Sequence, residues 1–380
     1  MQKRLRIWRF LYWLARPFLM RRFAFTPERF RGEGPCLIVA NHVTTWDPLL
    51  LALSFPDNPI RFVASEHIFR HGWVSRLLEK LVAPIPRRKG AAGMDTVRMC
   101  LRALKDGETV CIFAEGDATW DGVSRPVFPA TGKLARMAGV PLVTYRLEGG
   151  YPTLPRWSKR RRVGKMRGAV VESYPPETLK GKTGAEITAL INRDLYEDAW
   201  ARQRREHVRF RAKNRAEGIE RGFFLCPKCG GVGTARGEGD RILCPCGLDL
   251  LYTEEGFLEP KEPFETLAEW EAWQQDALRR TPLPEGGSLF ADGDMQLTRL
   301  DAGHRGERLG VFRLEQERDA LVCGEHRFPL EKITSMAMVK ANILLLTTEE
   351  GYFELRAKKA CCLRKYLSVW QSGRQIQDTM

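Results

Sequence analysis

The sequence predicts an α/β domain built on a mixed sheet flanked by helices, followed by a small cysteine-bearing module and a mostly-β region. Three observations carry this. Short, continuously apolar runs alternate with helical patterns up to about residue 150. Four of the ten cysteines crowd between positions 226 and 246, and from Gly286 onward the texture changes to short strands separated by turns. A chain of 380 residues exceeds the usual domain length, so more than one domain is expected.

Residues 1–24 read as an amphipathic helix. The first 22 hold seven basic residues and no acidic one, interleaved with Trp8, Tyr12, Trp13, Phe18 and Leu19, and Ile7, Phe10, Leu11 and Leu14 fall on one helical face. Such a segment suits an anionic membrane interface, with aromatic rings at headgroup depth and arginines snorkelling to the lipid; the competing reading is a helix packed on its own domain. Arg9 and Arg16 break the clean apolar centre that a signal peptide needs, and no small-residue cleavage site follows, which argues against secretion. No run of 18 apolar residues occurs, so no transmembrane helix is expected.

The α/β domain is assigned to 25–220. Residues 35–41, Pro-Cys-Leu-Ile-Val-Ala-Asn, form a run suited to a strand buried on both faces. Further strands are expected at 61–64, 109–114, 141–147 and 169–171, with helices at 74–81, 96–104 and 132–138 between them. Pro175 and Pro176 close the last strand, and residues 184–220 read as one long polar helical stretch. The cysteine module takes 221–260. A linker helix follows within 261–284, stopped by Pro282 and Pro284, and a β-rich domain takes 285–380. There the strands are expected near 295–299, 310–314, 320–323, 326–329, 333–339, 343–347 and 352–356, with a terminal helix carrying Leu363, Tyr366, Leu367 and Trp370. Strands followed by one helix suggest a small barrel or sandwich resembling, in topology, a pleckstrin-homology-like module.

The net charge of +14 is unevenly placed: residues 1–220 carry 40 Lys plus Arg against 22 Asp plus Glu, and the remainder 21 against 25. The basic surface, fit for nucleic acid, anionic lipid or phosphorylated small molecules, therefore belongs to the first half. Around the basic stretch from Arg156 to Arg167 only Trp157 could stack on a base, so no nucleic-acid partner is expected. The cysteines are used as in a reducing compartment, for metal rather than for disulfides.

Asn41-His42-Val43-Thr44-Thr45-Trp46-Asp47 sets a histidine directly after a buried strand and an aspartate five residues later. If the chain turns into a helix near Thr45, Asp47 can return beneath the imidazole and fix its tautomer, freeing the other ring nitrogen to take a proton from an alcohol. Phe113-Ala114-Glu115-Gly116, Ile85-Pro86-Arg87-Arg88 and Val140-Pro141-Leu142-Val143 each accompany a further apolar run. In this order and spacing the four segments resemble the sequence blocks of the glycerolipid acyltransferases, the group containing lysophosphatidic acid acyltransferase, over roughly residues 30–150.

The resemblance implies that His42 and Asp47 are the catalytic pair and that Arg88 or its neighbour Arg87 meets the phosphate of the acyl acceptor. It further implies that Glu115 with Gly116 shapes the acceptor site and that Pro141 belongs to the fourth block. It also implies an acyl thioester donor, acyl-CoA or acyl carrier protein, a lysophospholipid acceptor, and a peripheral or monotopic place on the cytoplasmic face of the cell membrane. Two departures stand out. The usual Glu-Gly-Thr-Arg-Ser reads Glu115-Gly116-Asp117-Ala118-Thr119, and the second block has Arg87 where an aspartate is usual. The first change would repel a phosphate, which keeps an amino-lipid or non-phosphate acceptor in view.

Cys226-Pro-Lys-Cys229-Gly and Cys244-Pro-Cys246-Gly, 14 residues apart, form two thiolate knuckles resembling a zinc ribbon, the second one residue shorter than usual. Four soft ligands suit a structural Zn²⁺ in a closed site with no position left for catalysis.

Overall fold

The computed structural model describes residues 2–32, 34–65, 83–87, 94–282, 284–301 and 306–377. The helix expected at 74–81 and the candidate Arg88 lie outside them. The chain forms two compact units: the first runs to Ala212, apart from Trp157–Arg160, which group with Lys213 onward in the second.

The first unit opens with helix α1 (Gln2–Phe23) and the short strand β1 (Phe25–Pro27). Strand β2 (Leu37–Ala40), helix α2 (Asp47–Ala52), β3 (Ile60–Ser65), β4 (Ile85–Arg87), α3 (Met94–Lys105) and β5 (Thr109–Phe113) follow. Next come α4 (Ala130–Ala138), β6 (Leu142–Glu148), the single turn α5 (Gly150–Thr153) and β7 (Met166–Tyr174). The unit closes with α6 (Pro176–Lys180), α7 (Gly184–Leu195) and α8 (Ala199–Glu206).

The strands form one mixed sheet in the order β1-β7-β6-β2-β5-β3-β4. The five from β6 to β4 are parallel, and β7, antiparallel to β6, carries β1 on its outer edge. Strand β2 sits at the centre and is fully buried. Its side chains alternate between two cores: Ile38 and Ala40 face the side packed by α1 and α2, while Leu37 and Val39 face α3, α4 and α7. A run without polar residues is what burial on both faces requires.

The stretch 184–220 is not one helix. Thr183 and Glu186 form a capping box that starts α7, which ends at Leu195; Asp198 then accepts the N–H groups of Trp200 and Ala201 and starts α8. His207, in the left-handed region, ends α8. Two side-chain caps within 16 residues divide a pattern whose polarity alone looked continuous.

One face of helix α1 packs on its own domain. Trp8, Leu19 and Phe23 are buried in the core, and the Trp8 indole N–H donates to the Phe55 carbonyl at 2.8 Å. The opposite face exposes Phe10, Trp13, Leu14 and Phe18. Ile7 and Leu11 lie half-buried at the margin, so the solvent-facing stripe is rotated from the one expected.

In the second unit a four-stranded antiparallel sheet contains β8 (Arg236–Glu238), β9 (Arg241–Cys244), β10 (Leu248–Tyr252) and β11 (Leu258–Glu259). Helix α9 (Leu267–Arg280), expected as a linker, is a packed element: Leu267, Trp270, Gln274 and Leu278 are buried. Strands β12 (Phe290–Leu300), β13 (Gly306–Gln316), β14 (Ala320–Cys323), β15 (His326–Pro329), β16 (Ile333–Val339), β17 (Ile343–Thr348) and β18 (Gly351–Ala357) follow. They make one continuous antiparallel sheet in the order β15-β14-β13-β12-β18-β17-β16. Helix α10 (Arg364–Gln377) buries Tyr366, Leu367 and Trp370, and its Arg364 pairs with the buried Glu271 of α9.

Candidate active site and candidate metal centre

The parallel strands deliver the site residues to one edge of the sheet. Ala40 is level with Phe113, so the chain leaving β2 at His42 and the chain leaving β5 at Glu115 emerge side by side. Strand β4 ends at Arg87, in register with the end of β3. This is the carboxyl edge of the parallel strands, where open α/β sheets place their ligands.

Asn41 ends the ladder with its side chain, donating to the Leu147 carbonyl at 2.9 Å and accepting the Leu147 N–H at 2.7 Å. The main chain then turns. Asp47, fully buried, returns under the imidazole and lies 2.7 Å from His42 Nδ1. The carboxylate also accepts the N–H of Val43 (2.6 Å), the N–H of Thr44 (2.9 Å) and the Thr44 hydroxyl (2.6 Å). A carboxylate can only accept, so Nδ1 carries the proton and Nε2 is left as the basic nitrogen. The ring is partly exposed and leans on Phe113, centroids 4.7 Å apart.

Glu115 braces this loop. One carboxylate oxygen accepts the His42 N–H at 2.9 Å and the other the Arg125 N–H at 2.8 Å. The His42 carbonyl in turn accepts the Thr119 N–H at 3.1 Å. Glu115 is thus bonded to the backbone of the loop that carries His42, a place that its position in a sequence block does not reveal. Gly116 has φ of +80°, a backbone conformation that favours glycine, and a Cβ there would lie 2.4 Å from the edge of the exposed Phe128 ring. Phe128 in turn carries the Arg87 guanidinium 4.8 Å from its centroid. Burial pulls the Arg87 guanidinium below its ordinary value, the carboxylate of Asp117 acting the other way.

Burial pushes the Glu115 carboxyl up to about 7, against the N–H groups of Arg125 and His42, which favour its ionised form. The raised value has a sign for stability. Between about pH 4.5 and pH 7 the folded chain holds a proton that the unfolded chain has released, so stability falls as pH rises through that window. The drop should approach about 3 kcal/mol by pH 8. Urea unfolding across pH 5–8 should show this slope in the wild type and a flatter one in Glu115→Gln; parallel slopes would reject the assignment.

Pro141 does not join the site. Its carbonyl accepts the Leu37 N–H at 2.9 Å, which places it at the beginning of β6 and beside the beginning of β2, the opposite end of the sheet from His42. Proximity within a sequence block does not say which end of a strand a residue occupies.

The four candidate cysteines converge in the second unit. The sulfurs of Cys226, Cys229, Cys244 and Cys246 all lie within 4.8 Å of one another, with Cys226 to Cys246 at 3.6 Å and Cys229 to Cys244 at 3.9 Å. Four thiolates tetrahedral about zinc sit about 3.8 Å apart at ordinary Zn–S lengths. The Gly231 N–H donates to Cys229 Sγ at 3.4 Å, and the Thr234 hydroxyl lies 3.3 Å from Cys244 Sγ. These four cysteines could hold a metal ion, and the donor set and spacing fit zinc.

Among the described residues no helix is long and apolar enough to cross a membrane. Part of the basic run is engaged by its own chain: Arg162 donates to the Pro152 carbonyl at 3.2 Å, and Arg167 pairs with Glu148 and Glu206, while Lys159, Arg160 and Lys165 are exposed.

Comparison with known proteins finds a family match within the first unit. Residues 22–148 match the model of the family described as Acyltransferase. The chain is 27% identical over 131 residues to the 1-acyl-sn-glycerol-3-phosphate acyltransferase BAT2, chloroplastic, of Brassica napus, covering 34% of this chain and 37% of that protein. It is 25% identical over 126 residues to the 1-acyl-sn-glycerol-3-phosphate acyltransferase of Bacillus subtilis (strain 168), covering 33% and 61%. The chain thus spans less than two thirds of either curated relative. Among solved structures it is similar to the 1-acyl-sn-glycerophosphate (LPA) acyltransferase PlsC from Thermotoga maritima, with TM-score 0.40 and 19% identity over 50% of this chain and 78% of that one. The stretch from residue 22 to residue 148, which holds His42, Asp47, Arg87 and Glu115, is the part of this chain that the acyltransferase family shares.

Proposed function

We propose that the first unit transfers a fatty acyl group from acyl-CoA or acyl carrier protein to the hydroxyl of a lysophospholipid at the cytoplasmic face of the membrane. The observation that carries this reading is the His42–Asp47 pair at the carboxyl edge of the sheet, within the acyltransferase-like stretch. An alcohol is too weakly acidic to attack a thioester unaided. As its oxygen bonds to the thioester carbonyl carbon, its proton passes to His42 Nε2, and Asp47 stabilises the imidazolium. Collapse of the tetrahedral intermediate breaks the C–S bond, and the imidazolium returns the proton to the departing thiolate. The products are an ester and a free thiol, with no acyl-enzyme.

Zinc on the four cysteines is read as structural, and the sheet β12–β18 with α10 as a pleckstrin-homology-like module. Incubating the protein with radiolabelled acyl-CoA and a panel of lysolipids tests the activity: thiol release should match ester formation. Thiol release that is independent of every lysolipid would sink the reading.

The exposed stripe of α1 supplies the membrane contact. Each basic residue near an anionic surface adds about 1 kcal/mol at low salt, and the apolar side chains add a part that salt does not weaken. Deleting α1 would also strip Trp8, Leu19 and Phe23 from the core, so the clean test replaces Phe10, Trp13, Leu14 and Phe18 with serine. That variant should keep its melting temperature and lose most of its sedimentation with acidic liposomes. Undiminished sedimentation would move the contact elsewhere.

A further inference from the structure

We infer that Asp117, backed by Arg156, selects the headgroup of the acyl acceptor: it disfavours a phosphomonoester dianion and favours a phosphodiester monoanion that carries hydroxyl donors. The inference rests on the acyl-transfer reading for its site and deepens it.

Asp117 lies within the turn 115–119, and both ends of that turn are bonded to the main chain of His42, through the Glu115 carboxylate and through the Thr119 N–H. A residue in a loop clamped at both ends to the catalytic histidine cannot lie far from the acceptor. Its carboxylate pairs with Arg156. The Arg156 guanidinium stacks 4.4 Å from the centroid of the buried Trp120 and also approaches the Ala118 carbonyl, at 3.4 Å.

The two partners are unequally exposed, the arginine side chain 7% and the aspartate 41%. The ion pair is therefore a dipole with its positive end buried and its negative end toward solvent. An approaching phosphate meets the carboxylate first, at a position where the resembling family carries Thr-Arg and this chain carries Asp117-Ala118. Arg87, held on Phe128 over Gly116, lies within electrostatic reach of the same carboxylate. Among the described residues, a guanidinium whose field is offset by a neighbouring carboxylate matches a singly charged phosphate better than a doubly charged one. The lone pairs of Asp117 can also accept hydroxyl groups from a polyol headgroup.

Isothermal titration at pH 8, where a phosphomonoester is a dianion, tests this with two short-chain lysolipids below their micellar concentration. One is 1-acyl-glycerol-3-phosphate; the other has the same chain with its phosphate esterified to glycerol. The full chain should bind the diester at least about fivefold more tightly. Asp117→Asn should shift the ratio about tenfold toward the monoester, about 1.4 kcal/mol, mainly by tightening monoester binding. Asp117→Thr guards against an asparagine variant that does not fold, and melting curves identify the variant to use. Wild-type preference for the monoester, a ratio unmoved in the folded variant, or no binding of either lipid would overturn the inference. The same samples supplied with acyl-CoA report turnover separately: binding without any turnover would sink the acyl-transfer reading while the ratio still decides the headgroup.

Discussion

His42→Ala should lower acyl transfer by a factor of about 10² to 10⁴, the range expected when a general base is removed, and leave the fold standing. The backbone bonds of His42 to Glu115 and Thr119 do not involve its side chain, and the partly exposed ring is not a core group. Asp47→Asn should behave differently. The carboxylate receives the Nδ1 proton, two backbone N–H groups and the Thr44 hydroxyl. An amide has one accepting oxygen where the carboxylate has two, so the Nδ1 proton and the two N–H groups must share that oxygen's two lone pairs and at least one of these buried donors is left poorly partnered. Each such loss costs about 1–3 kcal/mol. The asparagine variant should therefore lose activity and also unfold at clearly lower urea concentration than the alanine variant. Equal urea midpoints would show that Asp47 orients the imidazole without holding the loop together; wild-type turnover in His42→Ala would remove the mechanism itself.

Loss of the metal should have the second large effect. Elemental analysis should find about one zinc per chain, absent when Cys226 and Cys229 are replaced by serine. Binding free energies of structural zinc in small domains are about 10–16 kcal/mol, enough to decide whether the cysteine loops fold. The damage should spread along identifiable bonds. The Phe224 N–H donates to Gln274 Oε1 at 3.0 Å, and the Trp270 indole N–H to the Leu225 carbonyl at 2.9 Å, so α9 is fastened to the two residues that precede the first knuckle. From α9 the Glu271–Arg364 pair leads to α10. Chelation should lower the melting temperature of the second unit, and acyl transfer should decline only as unfolding proceeds. Metal-free protein with an unchanged melting curve would show that the four thiols do not need an ion.

The sequence was most legible where burial is two-sided or periodic. The strands at 37–40, 109–113 and 142–148 and all seven strands of the C-terminal sheet announce themselves as apolar runs or alternations between turns. Strand β1 does not: three residues ending in Pro27 acquire their pairing only from β7. At the site the spacing of His42 and Asp47 foretold their contact, because a five-residue return is local. What the spacing could not carry was long-range. The bond of Glu115 to the His42 backbone joins residues 73 apart, the Asp117–Arg156 pair brings in a residue from the stretch read as a basic surface, and Pro141 belongs to the other end of the sheet. Such relations follow from strand order and direction, which local pattern leaves open.

Asn41 gives the loop before the histidine a property of its own. Its side-chain amide offers one carbonyl and one N–H to Leu147, the same two kinds of group that the main chain of one residue presents to one side of a strand. The sheet therefore gains a rung without the main chain having to remain extended. Backbone direction and inter-strand bonding, tied together everywhere else along β2, separate at this single residue. Aspartate, which lacks the N–H, and alanine, which lacks both groups, could not make that exchange, so the chain would have to choose between keeping the central strand joined to β6 and turning toward Asp47.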